Sequence, residues 1–350
     1  VFFRGLLLFL PMDFRSRVPL LIVPLLLLGC DRGGPNAVSG DTPRDRLRSI
    51  EQRIIADPTN ASLFEERARL FEELDSVLAA MNDWKRAIAL DSLNGGYHEA
   101  LADLFYRKVR LEEAEYHLRR TIAVAPPAVS AKLKLGELLL AQRRYQPAMD
   151  VVNDALREDP QLAHGYYLKG WIHQETGDTN LAISSYRTSV ERDPLFYKAH
   201  TQLGVLLSTR GDAVAMDHFN SALRVKPNGW EALYGKAMFA QENGMDSLAL
   251  DCYARIKESD PLNPLAWYNT GYVLLEHLDR PADAVVEFTG AIERHPLYAN
   301  AYYSRGLAHE RAGDPQKAMD DALQALAIDP DMEDAQELAR RLRSKGMVRR

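Results

Sequence analysis

From residue 61 onward, small and large apolar side chains return at fixed intervals among polar ones. Ala68, Ala102, Gly136, Gly170, Gly204, Ala237, Gly271 and Gly306 form one column, and Ala80, Ala114, Ala148, Ala182, Ala215, Ala249, Ala284 and Ala318 form a second. Four residues after these alanines come Trp84, Leu118, Val152, Tyr186, Phe219, Tyr253 and Phe288, with Ala322 alone departing from the pattern. Pro58, Pro126, Pro160, Pro194, Pro227, Pro261, Pro296 and Pro330 close the periods, with Ser92 standing in for one of them. The period is roughly 34 residues, with one spacing shorter and one longer by a single position.

This period predicts one helical hairpin per unit. At about 100° per residue, positions 4, 7, 8 and 11 share the packing face of a first helix. Pairs such as Gly177-Asp178, Gly211-Asp212 and Gly313-Asp314 permit the reversal that ends it. Proline, which has no donor, then stops the second helix. Small residues at positions 8 and 20 let the two backbones approach, and bulky ones at 4, 11 and 24 fill the space beside them. One unit cannot bury its apolar face by itself; stacking supplies the burial.

These columns resemble the tetratricopeptide repeat over residues 61–332, as eight units starting at Ala61, Gly95, Val129, Ala163, Tyr197, Trp230, Pro264 and Ala299. The resemblance implies an all-α fold, a right-handed α-α superhelix whose concave groove is lined by first helices. The fifth unit lacks one residue after Gly211-Asp212, and the seventh gains one around Leu278-Asp279-Arg280-Pro281. Both changes are expected in the turn between helices, where length varies freely. Residues 43–60 read as an N-terminal cap helix introduced by Thr42-Pro43. Residues 333–350 read as a C-terminal cap helix and basic tail: Ala335, Leu338, Ala339 and Leu342 form its apolar stripe, with acids early and Arg340, Arg341, Arg343 and Lys345 late, which suits the helix dipole. That terminal basic cluster also offers contacts to anionic headgroups.

The segment before Cys30, residues 1–29, reads differently. Arg15 and Arg17 precede an apolar run over residues 18–29, long enough for a secretory signal and too short to span a bilayer as a helix. It ends Leu27-Leu28-Gly29-Cys30, which resembles the lipobox of bacterial lipoproteins. That resemblance implies a diacylglyceryl thioether on Cys30 and cleavage just before it, and two or three chains on one residue suffice for stable anchoring. Met12 opens a compact signal of its own, so residues 1–11 read as upstream of the start, or Val1 as an alternative start. Residues 30–42 form the lipidated cysteine and a Gly/Pro/Ser-rich tether. The expected location is a bacterial cell envelope, on the outer membrane or the periplasmic face of the inner membrane; Asp31 beside the cysteine favours the inner membrane in some Gram-negative groups only.

Composition narrows the chemistry. Of 350 residues, 46% are hydrophobic and 26% charged, the balance of a folded chain. The net charge is -6, and the charges before Cys30 are Arg4, Arg15, Arg17 and Asp13, so the chain without that segment is more acidic still. That balance argues against a sequence-independent grip on nucleic acid. Two cysteines, Cys30 and Cys252, leave no disulfide framework and no CxxC site. No HExxH, GxSxG or P-loop pattern occurs, and the nearest imitation of the last, residues 165–170, is followed by Trp171. Nine histidines are scattered without ligand spacing, although His164, His173 and His200 fall where adjacent repeats would bring them near one another. The chain reads as a non-enzyme with no cofactor and no metal.

Positions 2, 5, 9 and 12 make a second stripe on each first helix, the one that lines the groove in the family. It is charged in the early units, with Glu65, Glu72, Glu99 and Asp103 beside Tyr106. Later it becomes aromatic, through Tyr167, Trp171, Tyr234, Met238, Tyr268, Tyr272 and Tyr303, with unit five interrupting at Thr201, Val205 and Ser208. Tyr and Trp give contact area with a polar tip. The same tyrosines also suit packing between neighbouring first helices, so both roles stand open. The expected partner is a protein or peptide segment held by a lipid-anchored adaptor. The family's Lys/Asn/Arg clamp for a terminal carboxylate is not reproduced. Resemblance to bacterial lipoproteins of this kind implies work in assembling envelope machinery or presenting a substrate to a peptidase. The rival reading is a structural spacer that associates with its own copies through the outer, second-helix face.

Overall fold

The computed structural model describes residues 42–344. Residues 1–41, on which the expected signal, Cys30 and nearly all of the expected tether fall, and the end of the basic tail lie outside the described residues. Contacts divide the chain into two compact units, Val1–Glu158 and Asp159–Arg350. In the first, α1 (Pro43–Ala56) is followed by three hairpins: α2 (Ala61–Glu73) with α3 (Val77–Leu90), α4 (Gly95–Arg107) with α5 (Leu111–Val124), and α6 (Val129–Ala141) with α7 (Tyr145–Glu158). The second holds five: α8 (Ala163–Glu175) with α9 (Thr179–Arg192), α10 (Tyr197–Ser208) with α11 (Ala215–Val225), α12 (Trp230–Glu242) with α13 (Asp246–Ser259), α14 (Pro264–Tyr272) with α15 (Pro281–Arg294), and α16 (Ala299–Arg311) with α17 (Pro315–Ile328); α18 (Glu333–Ser344) follows. Among the described residues there is no strand, and no helix is long and apolar enough to cross a membrane. Each unit is a stack of helical hairpins, the all-α architecture of an α-α solenoid.

Several helices start at a side-chain cap. Thr42 accepts from the Asp45 backbone amide at the head of α1, and Asn60, Asn94 and Asn263 do the same for the second residue of α2, α4 and α14. Inside a hairpin the side chain at position 24 fills the gap left by the small residue at position 8. A Cβ on Gly170 would lie 2.6 Å from Tyr186, and one on Gly271 would lie 2.8 Å from Phe288. Phe219 is held between two glycines of successive first helices: a Cβ on either Gly204 or Gly235 would meet its ring at 2.5 Å. Trp84, Tyr186, Phe219, Tyr253 and Phe288 are consequently fully buried. Each such side chain removes enough apolar area from water to contribute roughly 2–3 kcal/mol.

The turn inside every hairpin has one design. Its central residue is left-handed, with positive φ at Asp75, Val109, Arg143, Gly177, Gly211, Gly244, Asp279 and Gly313. The next amide reaches back to the first helix, as in Ser76 to Phe71, Arg110 to Phe105 and Asp178 to His173, which closes the helix C-terminus. The extra residue of the seventh repeat is not in this turn, contrary to expectation. It enters upstream as a π-helical turn over Val273–His277 that prolongs α14, so the closing bond of that hairpin runs from Arg280 to Leu274, one residue longer than in the others. A π turn widens the helix and keeps the reversal intact. The shorter fifth repeat loses the opening of its second helix instead: residues 213–214 form a tight turn before α11.

Val109 carries the only β-branched side chain among these left-handed turn residues, at φ 59°, and it is 57% exposed. Left-handed backbone costs a residue with a Cβ about 1–2 kcal/mol, and little packing is lost by removing this one. Val109→Gly is therefore expected to stabilise unit one by roughly 0.5–1.5 kcal/mol, after the entropy of glycine is set against the relieved strain. Chemical denaturation of the two proteins measures it; an unchanged or lowered midpoint would contradict the strain assignment.

Candidate functional site

The first-helix stripe rests on the core residues beneath it, and the two exchange hydrogen bonds. Where position 24 has a donor, position 12 accepts from it. The Trp84 indole N–H donates to Glu72 Oε1 at 2.8 Å, and the hydroxyls of Tyr186 and Tyr253 donate to Gln174 and Gln241, each at 3.1 Å. Glu72, expected in the groove, is thus an acceptor for a buried indole and is further met by Arg107 at 3.4 Å. Its role is positional as well as surface-facing.

In unit one the expected acids are paired. Glu65 receives Arg69 one turn later at 2.9 Å. Lys134 of α6 reaches back to α4 and contacts Glu99 at 2.8 Å and Asp103 at 2.7 Å, while Ser130 donates to Glu99 at 2.7 Å. Burial alone would raise the Glu99 carboxyl, but the bonds from Lys134 and Ser130 outweigh it and hold the group below its ordinary range. Tyr106 is half-buried on the same face. The early stripe is therefore a run of acid-base bridges within and between successive first helices, with much of its negative potential already neutralised.

In unit two the aromatic stripe divides in two. Tyr167, Tyr234 and Met238 are buried. Tyr167 packs among Tyr186, Phe196 and Trp171 with ring centroids 5.4–6.2 Å apart. Tyr234 accepts from Asn269 Nδ2 of the next repeat at 3.0 Å, and Tyr268 meets Ser304 of the next again at 3.3 Å. These position-5 hydroxyls bond position-6 side chains one repeat on, as Glu99 bonds Lys134 in unit one. Met238 lies 3.2 Å from the Tyr253 hydroxyl. Trp171, Tyr268, Tyr272 and Tyr303 keep part of their surface exposed. Tyr272 stands at the start of the π turn with His277 edge-on to it, and His277 Nδ1 is 2.6 Å from Asp246. Arg311 occupies the widened turn, donating to the Leu275 carbonyl and both Glu276 oxygens at 2.8–2.9 Å.

A polar column escaped the sequence reading. Position 23, on the second helix beside the core ring, holds Asp83, His117, Ser185, His218, Cys252, Glu287 and Asp321. Several of these meet a matched side chain from the first helix of their own hairpin. Arg67 makes two 2.7 Å bonds to Asp83, and Arg305 makes bonds of 2.8 and 2.7 Å to Asp321. His98 and His200 face His117 and His218. Glu287 instead takes Lys257 at 2.9 Å, whose ammonium with Arg294 covers the Trp267 ring. Cys252 is buried there, and burial pushes its thiol upward. A matched pair of columns sixteen to nineteen residues apart was the available signal. His164, His173 and His200 do not converge: His164 lies against Tyr167 and Phe196, and His173 lies 4.0 Å from Asp178. Among the described residues no three metal-ligating side chains are grouped.

Two family models described as tetratricopeptide repeat match the chain, one over residues 116–163 and 278–333 and the other over 163–194. Human tetratricopeptide repeat protein 6 is 26% identical over 194 residues, 54% of this chain, which spans only 37% of that relative's length. Among solved structures, PilW, described as a widely conserved type IV pilus biogenesis factor, aligns with a TM-score of 0.53 and 22% identity over 60% of this chain and 97% of its own. The Cut9–Hcn1 hetero-tetramer of the anaphase-promoting complex aligns with the same TM-score at 16% identity, over 86% of this chain and 60% of its own. At these identities the likeness establishes the fold.

The Arg305–Asp321 bridge gives a direct test of the position-23 column. Both side chains are largely shielded, at 19% and 9% exposure. Arg305→Met leaves the carboxylate with only His309 at 3.9 Å and is expected to destabilise unit two by about 3 kcal/mol, whereas Arg305→Met with Asp321→Leu should recover most of the loss. Equal losses in the single and double variants, measured by denaturation, would mean the bridge is not what holds α16 to α17.

Proposed function

We propose that this chain, which carries tetratricopeptide repeats, is a lipid-anchored envelope adaptor that holds a protein or peptide segment against its first-helix faces. Proteins built from these repeats mediate protein–protein interaction and complex assembly, and they are generally non-enzymatic. The observation that supports the reading is the set of part-exposed aromatics on the first helices of unit two, Trp171, Tyr268, Tyr272 and Tyr303, on a floor fixed by buried Tyr167 and Tyr234. Rigid aromatics with few rotatable bonds lose little entropy on binding. The acids of unit one are already bridged to Lys134 and Arg69, so the affinity rests on aromatic contact in unit two. Anchoring rests on Arg15, Arg17 and the Leu27-Leu28-Gly29-Cys30 run, and it sets the location in the envelope. Self-association through the outer face draws less support: Leu78, Tyr116, Leu181 and Val286 are exposed on four different second helices, and single exposed apolar side chains are ordinary for a protein surface.

Burial now separates the groove residues by role. Trp171→Ala and Tyr272→Ala should weaken retention of a membrane-extracted partner by roughly 1–4 kcal/mol with little change in melting temperature. Tyr234→Ala should instead lower stability by about 3–5 kcal/mol. Pull-down and thermal melting on the same variants distinguish these outcomes, and Trp171 and Tyr272 variants that keep every partner would sink the groove reading.

Cys30→Ser should abolish incorporation of a labelled fatty acid and leave the signal uncleaved. Undiminished label in that variant would remove the anchor.

A further inference from the structure

One hairpin in each unit holds the same pair of histidines, at positions 4 and 23. His98 on α4 faces His117 on α5 with their Nδ1 atoms 2.9 Å apart, and His200 on α10 faces His218 on α11 at 3.0 Å. The other ring nitrogen of each first-helix histidine points at a backbone carbonyl in the preceding turn, Ser92 at 3.4 Å and Pro194 at 3.1 Å. A carbonyl only accepts, so His98 and His200 carry their proton on Nε2 and present a bare Nδ1. Their partners must then donate from Nδ1. The same tautomers are imposed twice, by the same register.

This arrangement limits the protons a closed hairpin can take. A first added proton leaves one ring of the pair charged and keeps the Nδ1–H···Nδ1 bond, but places a charge between packed helices. A second has only the bare Nδ1 left, where it would set two N–H groups against each other across the same short contact. An opened hairpin takes both. We propose that the two histidine pairs are acid-operated latches, through which mild acid opens the α4–α5 and α10–α11 hairpins ahead of the rest of their units.

The surroundings favour the neutral pair. Burial is the leading cause that holds all four imidazoles below their ordinary value, and burial together with the charge of His98 pushes His117 down to about 4. Lys85 of α3 and Arg120 of α5 face the first pair and oppose protonation, against Glu113 of α5. Arg187 of α9 and Arg224 of α11 do so at the second, against Asp193 and Asp212 in the turns and Asp217 of α11. A group titrating lower in the folded state than in the unfolded one stabilises the fold fully above the unfolded value, about 6.5 for histidine, and loses that contribution as the pH falls toward the folded value. The window here runs from about 6.5 down to about 4 for His117. Opening would also displace α4 and α10, the first helices that present Glu99 and Asp103 and the gap in the aromatic stripe.

Peptide-resolved hydrogen–deuterium exchange on the full chain between about pH 7.5 and 4.5, corrected for intrinsic exchange, tests the latch. Opening of α4–α5 and α10–α11 is expected to rise up to about tenfold per pH unit for each extra proton bound in the open state. The histidine-free hairpins α2–α3 and α12–α13 serve as internal controls and should lag behind. His117→Asn keeps a donor near the Nδ1 site, takes no proton, and can turn its amide to accept from a charged His98, so it should flatten the response of α4–α5 alone; His218→Asn should do so for α10–α11. If these variants fail to fold, imidazole nitrogen shifts of the unmodified protein decide the matter. Nδ1–H on His117 and His218, Nε2–H on His98 and His200, and neutral pairs near pH 6 support the latch. Four histidines titrating independently near pH 6.5, or paired hairpins no more labile in acid than the controls, would overturn it.

Discussion

Everything in this protein depends on how closely two helix backbones approach inside each hairpin. The side chain at position 24 enters the space left by a missing or minimal side chain at position 8, and the contact leaves no room for a Cβ at Gly170, Gly204 or Gly271. Overfilling such a space costs about 1–3 kcal/mol per site. Because Phe219 is shared by Gly204 and Gly235, the same contact also sets how one repeat sits on the next. The hairpin is thus the unit of folding and the ring its fixed point.

From that fixed point the polar chemistry follows outward. A buried indole or phenol needs a partner, and position 12 of the first helix supplies it for Trp84, Tyr186 and Tyr253. One residue before the ring, position 23 faces the first helix and carries a matched pair: an Arg–Asp bridge in the first and last hairpins, and His–His in two others. Apolar packing alone is indifferent to small rotations of one helix against the other. A bidentate guanidinium–carboxylate contact is not, so this column adds orientation to the closeness that the ring provides.

The interaction surface is what remains after these demands are met. Position-5 side chains turn to the next repeat, giving Glu99 to Lys134, Tyr234 to Asn269 and Tyr268 to Ser304. Position 9 keeps open surface at Trp171 and Tyr272, and the position-5 rings of Tyr268 and Tyr303 stay part-exposed as well. A stripe of similar residues on a helical wheel therefore serves two purposes, with the division set by which neighbour each side chain can reach. The π turn at Val273–His277 sharpens this locally, since it frees a carbonyl that Arg311 takes up and brings His277 against Tyr272.

The period, the helical hairpins, their starting residues and the small-to-large contact were legible in the sequence, because each depends on residues a fixed distance apart in one chain and recurs often enough to be counted. The left-handed turn was legible at Gly177, Gly211 and Gly313 but not at Val109 or Arg143, where the flanking packing imposes a conformation the residue itself resists. The extra residue of the seventh repeat was visible as a spacing, yet whether it would lengthen the turn or widen the helix depended on the Arg280 to Leu274 closure, a matter of three-dimensional fit. Which tyrosines are floor and which remain accessible, which acids meet a base, and which histidines meet each other were decided by tertiary structure alone. Those outcomes turn on distances of 2.7–3.4 Å between residues of different helices, and a helical wheel fixes the face a side chain occupies without fixing what stands opposite it.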